Sequence, residues 1–363
     1  MKRAKNEITV IPKIKIHPDK IILYNEIHYH NYKPIRKDQY QQNTTLITKE
    51  IDGKLEFVRV STKFLSSSRK AEGELSKQAI KKLKLSINYF LLLNRPNNKK
   101  SGNTGRHYEN RIAFITLTLP SKQQHPDNEI KSKCLNQFLI EITHYHKVTN
   151  YIWRAEYQKN GNIHFHILVN RFIAWNEVRN RWNRIINKLN YVENYRKELE
   201  AYHKEGFKVR TELVKKWPIQ QQYNAYLKGK KSDWNSPNSI DVHGLKNITN
   251  IKSYLTKYIT KNTEKETFEE DINKNNLRES GRIWAASAGF SNIAGATTEV
   301  DSLIENNLEH IKRTFKERIY ESDYFTIISV TIDDLEMLKC LTMIQLFYRY
   351  IFDKFQYSYQ FSI

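Results

Sequence analysis

The chain has 363 residues, of which 39% are hydrophobic and 12% aromatic, enough to build one large core or two. Lysine and arginine number 60 against 39 acidic residues, so the net charge is +21. This surplus favours a polyanionic partner such as nucleic acid, although it would also suit a ribosomal or membrane-surface protein. Two distant cysteines, Cys134 and Cys340, exclude a disulfide framework and a cysteine-based zinc site. A reducing cytoplasm is therefore expected, and no membrane partner is, because no run approaches the ~18 apolar residues of a span.

Composition and periodicity divide the chain into three predicted parts. Residues 1–105 form a basic N-terminal region, and residues 96–105 are a linker without apolar anchors. Residues 106–296 contain the clearest strand and helix patterns, and residues 297–363 form a C-terminal extension. Periodicity predicts strands over residues 8–16, 20–24, 239–243 and 324–332, helices over residues 76–93, 127–146, 175–189, 191–206 and 303–319 and from residue 334 onward, and a basic turn over residues 228–231.

The central part begins with a strand predicted over Ile112–Leu119, which Pro120 ends. Alternation places Thr116 and Thr118 on one face and Ile115, Leu117 and Leu119 on the other. If the apolar face meets the core, the two threonines line the opposite face, where we expect their hydroxyls to contact a DNA backbone. The simpler explanation of these threonines is β-propensity alone.

The stretch Tyr151–Asn170 predicts a β-hairpin, and the rest of the central part is organised around it. Asn160-Gly161 is a strong turn signal between two runs rich in β-branched and aromatic residues. On the second arm, His164 and His166 alternate with apolar side chains that need a core. The other face of this strand therefore presents two imidazoles, one strand repeat apart.

Two histidines at i and i+2 on a strand can bind one metal ion, and Glu156 on the first arm is the candidate third ligand. A three-residue loop, Asn160 to Asn162, would place Glu156 opposite His166 and Gln158 opposite His164, all on one face. A two-residue Asn-Gly turn would turn Glu156 to the far side. The alternative is a half-exposed strand with solvated histidines, the commoner outcome for so short a motif.

A second carboxylate with two histidines at the same spacing occurs near the N-terminus. Glu26, His28 and His30 lie along one predicted strand. No hairpin arm precedes them, and no tyrosine helix follows at a suitable distance. We therefore expect the hairpin of the central part, and not this segment, to form the metal site.

Two later segments carry further candidate residues. A helix predicted over Trp175–Leu189 has an apolar stripe with two tryptophans, and its polar face carries Arg179, Arg181, Arg184 and Lys188. These four cations are candidate DNA contacts, although a solvated helix face is the commoner meaning of such a pattern.

A helical pattern over residues 247–262 carries two tyrosines and two lysines. Tyr254 and Tyr258 lie one turn apart on one face, and Lys257 and Lys261 flank them. Phenols beside ammonium groups suit nucleophilic attack on phosphate, because the cations favour phenolate and neutralise the phosphodiester. An amphipathic helix with tyrosines at its core edge is the alternative.

An apolar strand, then His164-Phe165-His166, then Tyr254-x-x-Lys257-Tyr258 resembles the HUH endonucleases. In particular, the order and spacing are similar to those of rolling-circle replication initiators of small phages and plasmids. The family's first motif, a strand, is matched by Phe114–Pro120. The resemblance covers about Arg106–Asn292, half of the chain, and each motif alone is weak.

The resemblance implies an α+β fold, with a central antiparallel sheet and helices packed mainly on one face. It implies an endonuclease that nicks one DNA strand at an origin with a tyrosine nucleophile, leaving a 5′-phosphotyrosine and a free 3′-OH. Tyr258 is expected to attack first and Tyr254 second, with Mg²⁺ or Mn²⁺ held by His164, His166 and Glu156.

The expected partners are origin DNA, single-stranded or in a hairpin, and the helicase and polymerase of a bacterial host. The helicase is expected from outside because the sequence has no Gly-x-x-x-x-Gly-Lys-Ser/Thr motif. A two-tyrosine transposase and a relaxase are alternatives of the same chemistry. A transposase often carries cysteine-rich zinc modules, and a relaxase usually has a third nearby histidine; both are absent here. A non-catalytic, basic nucleic-acid-binding protein is the alternative of another class.

Overall fold

The structure of the protein is a computed structural model. It describes residues 8–29, 44–51, 54–61, 75–94, 112–244, 282–291 and 293–355, with backbone alone for residues 44–61. The chain divides into two compact units, one of residues 1–69 and 292–363 and the other of residues 70–291. The predicted linker and the predicted tyrosine helix lie outside the described residues.

The elements are numbered in chain order. The strands are β1 (Ile8–His17), β2 (Lys20–Tyr29), β3 (Thr44–Ile51), β4 (Lys54–Ser61), β5 (Ala113–Leu117), β6 (Tyr151–Tyr157), β7 (Ile163–Val169), β8 (Ile240–Gly244), β9 (Trp284–Ala286), β10 (Ala296–Glu299), β11 (Ile319–Glu321) and β12 (Phe325–Ile328). The helices are α1 (Lys77–Leu93), α2 (Asp127–Glu129), α3 (Asn136–His146), α4 (Trp175–Ile186), α5 (Tyr191–Tyr202), α6 (Ile219–Lys231), α7 (Ala288–Ser291), α8 (Ser302–Thr314), α9 (Ile332–Met337) and α10 (Leu341–Phe355).

The unit of residues 70–291 is built on an antiparallel sheet with strand order β8-β5-β7-β6-β9. The odd-numbered side chains of its central strands join one core with helical residues, including Phe165 and Ile167 from β7, Phe138 from α3 and Trp182 from α4. The Trp182 indole is fully buried and donates a 2.8 Å hydrogen bond to the Thr118 carbonyl. The predicted α+β class with a central antiparallel sheet is confirmed.

Periodicity predicted most elements of this unit. The helix predicted over residues 127–146 is observed as α2, the π-helical turns Ile130–Leu135 and α3, and Lys147 ends it in the left-handed conformation with φ 53°. The apolar residues predicted to point inward from it, Ile130, Cys134, Leu135, Phe138, Leu139 and Ile142, are all buried. One prediction is wrong, because the basic turn at residues 228–231 is the last turn of α6.

The other unit contains a sheet with strand order β10-β1-β2-β12-β11, and β3 pairs with β4 separately. Its core includes Ile14, Ile21, Ile311 and Phe347, from β1, β2, α8 and α10. Sequence composition did not indicate this pairing of strands from both ends of the chain, and the domain boundaries proposed near residues 105 and 296 stay predictions. Within the described ranges, every helix is too short or too polar to cross a membrane.

Candidate active site

The turn between β6 and β7 sets the register that builds the site. Tyr157 pairs with Ile163, and the Gln158 amide donates to the Asn162 carbonyl at 2.8 Å. The loop is therefore Lys159-Asn160-Gly161, and Gly161 takes the left-handed conformation with φ 81°. A three-residue loop was predicted, but its position one residue later was wrong.

This difference moves the cross-strand pairs by two residues. Glu156 lies opposite His164 and Arg154 lies opposite His166, so the predicted pairs Glu156–His166 and Gln158–His164 are corrected. Glu156 stays on the histidine face because a shift of two preserves which side of the sheet a residue faces. Gln158 instead contributes, with His164, to a surface cleft beside the loop.

Buried side-chain hydrogen bonds hold the hairpin in this register. The Asn162 side chain accepts from the Gln123 amide at 2.9 Å and donates to the Ser121 carbonyl at 2.8 Å. The Gln123 side chain accepts from the Ile163 amide at 2.7 Å and donates to Asp127 at 2.8 Å. A slip of the hairpin would leave these buried polar groups unpaired, which is costly. The segment after Pro120 therefore positions the histidine strand.

Glu156, His164 and His166 converge on one point of the sheet face. The Glu156 Oε2 atom lies 3.5 Å from His164 Nε2 and 3.4 Å from His166 Nε2. One donor atom from each residue lies within 4.8 Å of the others, and among the described residues this is the one such group of three or more metal-ligand types. Two imidazole nitrogens and one carboxylate oxygen are a donor set that fits a divalent cation. The choice between Mg²⁺ and Mn²⁺ stays a prediction.

A fully buried arginine lies beneath this group. Arg154 has 0% exposed area, and its Nη1 lies 3.1 Å from Glu156 Oε1, the carboxylate oxygen that faces away from the histidines. Burial by itself raises the pKa of the Glu156 carboxyl, but hydrogen bonding to His164 and His166 and the charge of Arg154 outweigh it and hold the pKa at about 2. Glu156 is therefore an anion at neutral pH, with one oxygen fixed by Arg154 and the other facing the imidazoles.

The imidazoles are held as neutral ligands would be. Burial is the main cause that lowers the pKa of His164, which keeps this ring unprotonated near neutral pH. The Thr116 hydroxyl lies 3.1 Å from His166 Nδ1, and the Phe114 ring stacks on His166 with centroids 5.3 Å apart. A partner on Nδ1 fixes the ring so that Nε2 faces Glu156, the arrangement usual for metal-binding histidines.

The two predicted threonines thus contact protein atoms. Thr116 orients His166, and the Thr118 hydroxyl donates to the Ser239 carbonyl at 3.0 Å. Their proposed contact with DNA stays a prediction. Sequence analysis missed Asp241, which lies opposite Thr116 on β8 and forms a 2.7 Å ion pair with His243. Alternation along residues 239–243 was the signal for both, because it places residues 241 and 243 on the face that Thr116 occupies.

Three of the four cations of the helix predicted over Trp175–Leu189 bond other protein residues. Arg181 and Arg184 both bond Glu141 of α3, at 2.6 Å and 2.7 Å. Arg179 donates to Asn238 at 2.8 Å, and its guanidinium lies over the Trp175 ring. Lys188 is exposed, on the 3₁₀ turn after α4. A DNA contact by these residues stays a prediction, and the two Glu141 ion pairs would compete with it.

The candidate nucleophiles Tyr254 and Tyr258 and the flanking Lys257 and Lys261 lie outside the described residues. The last described residue before them, Gly244, ends β8. That strand pairs with β5, and β5 pairs with the histidine strand. The chain therefore leaves the sheet two strands away from β7.

Comparison with known proteins gives one match. The sequence model of a family described as replication-associated protein ORF2 matches residues 112–263. That segment includes the whole candidate metal group and both candidate tyrosines. No curated protein and no solved structure matches the chain. The family match covers less than half of the chain, and the likeness supports a rolling-circle replication initiator.

Proposed function

We propose that the chain is a replication initiator that nicks one DNA strand at an origin by metal-assisted transesterification with a tyrosine. The observation that carries the proposal is the convergence of Glu156, His164 and His166 inside the segment that the replication-associated family model matches. Tyr254 and Tyr258 follow within the same segment, in the order that the sequence resemblance requires.

The three converging residues would hold Mg²⁺ or Mn²⁺, which when bound polarises a non-bridging oxygen of the scissile phosphate. Glu156 supplies the negative charge, and Arg154 keeps its carboxylate from rotating away. Thr116 holds His166 with Nε2 towards the shared point. The surface cleft lined by His164 and the β6–β7 loop leaves one side of this group open to a DNA strand.

The proposed nucleophile is the phenolate oxygen of Tyr258, which bonds to phosphorus as the bond to the 3′ oxygen breaks. The leaving oxygen takes up a proton and becomes a free 3′-OH that primes synthesis, and Tyr258 keeps the 5′ phosphate. Lys257 and Lys261 favour the phenolate and neutralise the phosphodiester. Tyr254, one turn away, would make the reverse attack after a round of copying.

The proposed substrate is origin DNA that is single-stranded or folded in a hairpin, because an unpaired strand exposes its phosphate to the tyrosine. Strand separation and copying would then come from the helicase and polymerase of a bacterial host. The positive charge of the chain supports binding to this polyanion.

A nicking assay with Mg²⁺ or Mn²⁺ tests the proposal, on supercoiled and single-stranded DNA that carries the origin of the same element. Products are separated with and without protease, beside Tyr258→Phe, Tyr254→Phe and His166→Ala. We expect a protein-linked 5′ end that EDTA and His166→Ala abolish, and Tyr258→Phe should remove the first cleavage.

Binding to a verified origin without any cleavage or adduct would overturn the proposal and favour a non-catalytic DNA-binding protein. Cleavage that rejoins two different DNA ends, without priming of synthesis, would instead favour the transposase alternative. Tyr254→Phe separates the two tyrosines, because a variant that still terminates replication normally would remove Tyr254 from the mechanism.

A further inference from the structure

The search of the described residues outside the metal group leads to α6. Three apolar side chains, Ile219, Tyr223 and Leu227, follow one another at intervals of four residues and therefore lie along one face of this helix. Their exposed fractions are 49%, 41% and 45%. An exposed stripe of this kind on a helix marks a contact surface more often than a chance arrangement of single residues does.

The helix is held firmly by its other side, so the stripe is a built surface and not a loose segment. Gln222 is buried and bonds the Arg210 amide at 2.8 Å and the Trp217 carbonyl at 2.8 Å. The rings of His203, Phe207 and Trp234 surround the Tyr226 ring at centroid distances of 4.8, 5.5 and 6.3 Å. Tyr223 packs its edge against Phe207 at 5.1 Å and leaves the rest of its ring exposed.

Gly229 lets the C-terminal end of α6 close against this aromatic cluster. A Cβ atom at Gly229 would lie within 2.3 Å of the Trp234 indole nitrogen, far closer than van der Waals contact allows. The Trp234 amide donates to the Gly229 carbonyl at 2.8 Å, and the ring covers the last turn. The lysines that follow and precede Gly229 are therefore fixed next to the stripe.

The charge around the stripe has one sign. Residues 207–231 contain seven lysines and arginines and one acidic residue. Lys215 and Lys216 precede α6, and Lys228, Lys230 and Lys231 form its last turn. In the part of the chain that the structure describes, none of these five lysines has a carboxylate within 4.0 Å; Arg181 and Arg184, by contrast, are paired with Glu141.

We propose that this face of α6, the residues Ile219, Tyr223 and Leu227 with Lys215, Lys216, Lys228, Lys230 and Lys231, binds single-stranded nucleic acid. An exposed tyrosine ring offers a stacking platform for an unpaired base, and the aliphatic side chains contact bases and sugars. The lysines at both ends bind phosphates along the strand. A duplex would present no unstacked base to the stripe.

The position of α6 in the chain suits a strand that also reaches the metal group. Residues 232–239 connect α6 to β8, and Asp241 of β8 lies opposite Thr116, the partner of His166. The choice of DNA as the nucleic acid rests on the proposed function, whereas the binding of a single strand rests on the stripe and its lysines.

The test is fluorescence anisotropy of labelled single-stranded DNA of about 20 nucleotides and of arbitrary sequence, with EDTA present so that no cleavage occurs. The triple variant Lys228→Gln, Lys230→Gln, Lys231→Gln should weaken binding about 10- to 100-fold near 0.1 M salt and lower the log–log salt slope by about 2. Tyr223→Ala should weaken binding about tenfold, and Tyr223→Phe should bind as the parent does.

The matched control removes the same charge elsewhere in the same unit, with Lys81, Lys82 and Lys84 of α1, all exposed, changed to glutamine. An equal loss in this control would overturn the proposal, because binding would then follow net charge alone. Parent-like DNA binding by both the α6 triple and Tyr223→Ala, in variants with unchanged far-UV circular dichroism, would also overturn it and leave the stripe to a protein partner.

The two proposals fail separately. Loss of single-strand binding in the α6 variants of a chain that never nicks an origin would support this surface and overturn the nuclease. Nicking by a chain whose α6 variants bind DNA as the parent does would support the nuclease and overturn this surface.

Discussion

Two segments of this chain carry a glutamate and histidines at the same spacing, and the structure gives them different surroundings. On β2, Glu26 and His28 lie along one strand, 41% and 48% exposed, with a 3.5 Å separation. Glu26 also forms an ion pair with Lys13 of the neighbouring strand. His30, the third residue of that pattern, lies outside the described residues.

On the β6–β7 hairpin, the glutamate comes from a different strand than the histidines. Glu156, His164 and His166 are 18%, 15% and 10% exposed, and Arg154 lies beneath them without exposed area. The comparison teaches that a His-x-His string becomes a candidate ligand group when a neighbouring strand supplies the carboxylate and when burial excludes competing lysines. The string itself is the same in both places.

Loss of a ligand should have the largest effect. His166→Ala removes one of three donor atoms, and we expect Mn²⁺ affinity to fall more than 100-fold, because second-sphere partners alone are worth about 10- to 100-fold. Isothermal titration with Mn²⁺ measures it. The matched control is His28→Ala on β2, which should leave Mn²⁺ affinity unchanged; a comparable loss there would contradict the assignment of the site.

The buried arginine should contribute more to stability than its exposed counterpart. Arg154→Met leaves the buried Glu156 carboxylate without its cation, and breaking a buried pair costs about 3–5 kcal/mol of unfolding free energy. Urea denaturation with EDTA present measures the change. Lys13→Met, which breaks the exposed pair with Glu26, should alter stability little because water screens that pair. Equal effects of the two substitutions would remove the proposed role of Arg154.

The pH dependence of stability should report Glu156. Its folded pKa of about 2 lies below the ordinary value of 4.5, so its contribution is present above pH 4.5 and is lost as the pH falls towards 2. The integrated contribution is on the order of 2–3 kcal/mol. Denaturation of the parent and of Glu156→Gln in EDTA should therefore converge over this pH interval. A constant difference between the two would show that the carboxylate is not ionised in the way its contacts imply.

The hairpin register should depend on Asn162. Asn162→Ala removes two buried hydrogen bonds and leaves the Gln123 amide unpaired, which we expect to cost about 2 kcal/mol of unfolding free energy. If the register is also loosened, Mn²⁺ affinity should fall in proportion to the fraction of misaligned hairpin. Asn160→Ala is the control, since its side chain accepts one hydrogen bond, from the Asn162 amide, at the exposed tip. A variant as stable as the parent would show that the turn alone sets the register.

Asn162 also shows what the sequence could and could not predict. Alternation alone placed Glu156, His164 and His166 on one face, and this holds in the structure. The exact pairing depended on where the three-residue loop begins. That choice is made by hydrogen bonds between Asn162 and Gln123, which are 39 residues apart in sequence. Local turn signals contain no information about such contacts, so the predicted partner of each histidine was wrong.

Arg154 was missed although its position was readable. It shares the face of Glu156 by alternation, and an arginine within the apolar run Tyr151–Tyr157 is unusual. The arginines of α4 illustrate the opposite case. Their helix was predicted correctly, but no local pattern indicates that Glu141 of another helix pairs with Arg181 and Arg184. Helical periodicity thus locates side chains on a face without revealing their partners.

The smallest effect in this comparison concerns the hydroxyl that orients His166. Thr116→Val keeps the shape and β-propensity of the side chain but removes the 3.1 Å contact with Nδ1, so the imidazole can rotate or change tautomer. We expect Mn²⁺ affinity to fall about tenfold with little change in stability. Thr116→Ser restores a hydroxyl at the same place and should recover most of the affinity. If valine and serine bind Mn²⁺ equally well, the stacking of Phe114 on His166 is what fixes the ring, and Phe114→Leu should then produce the loss instead.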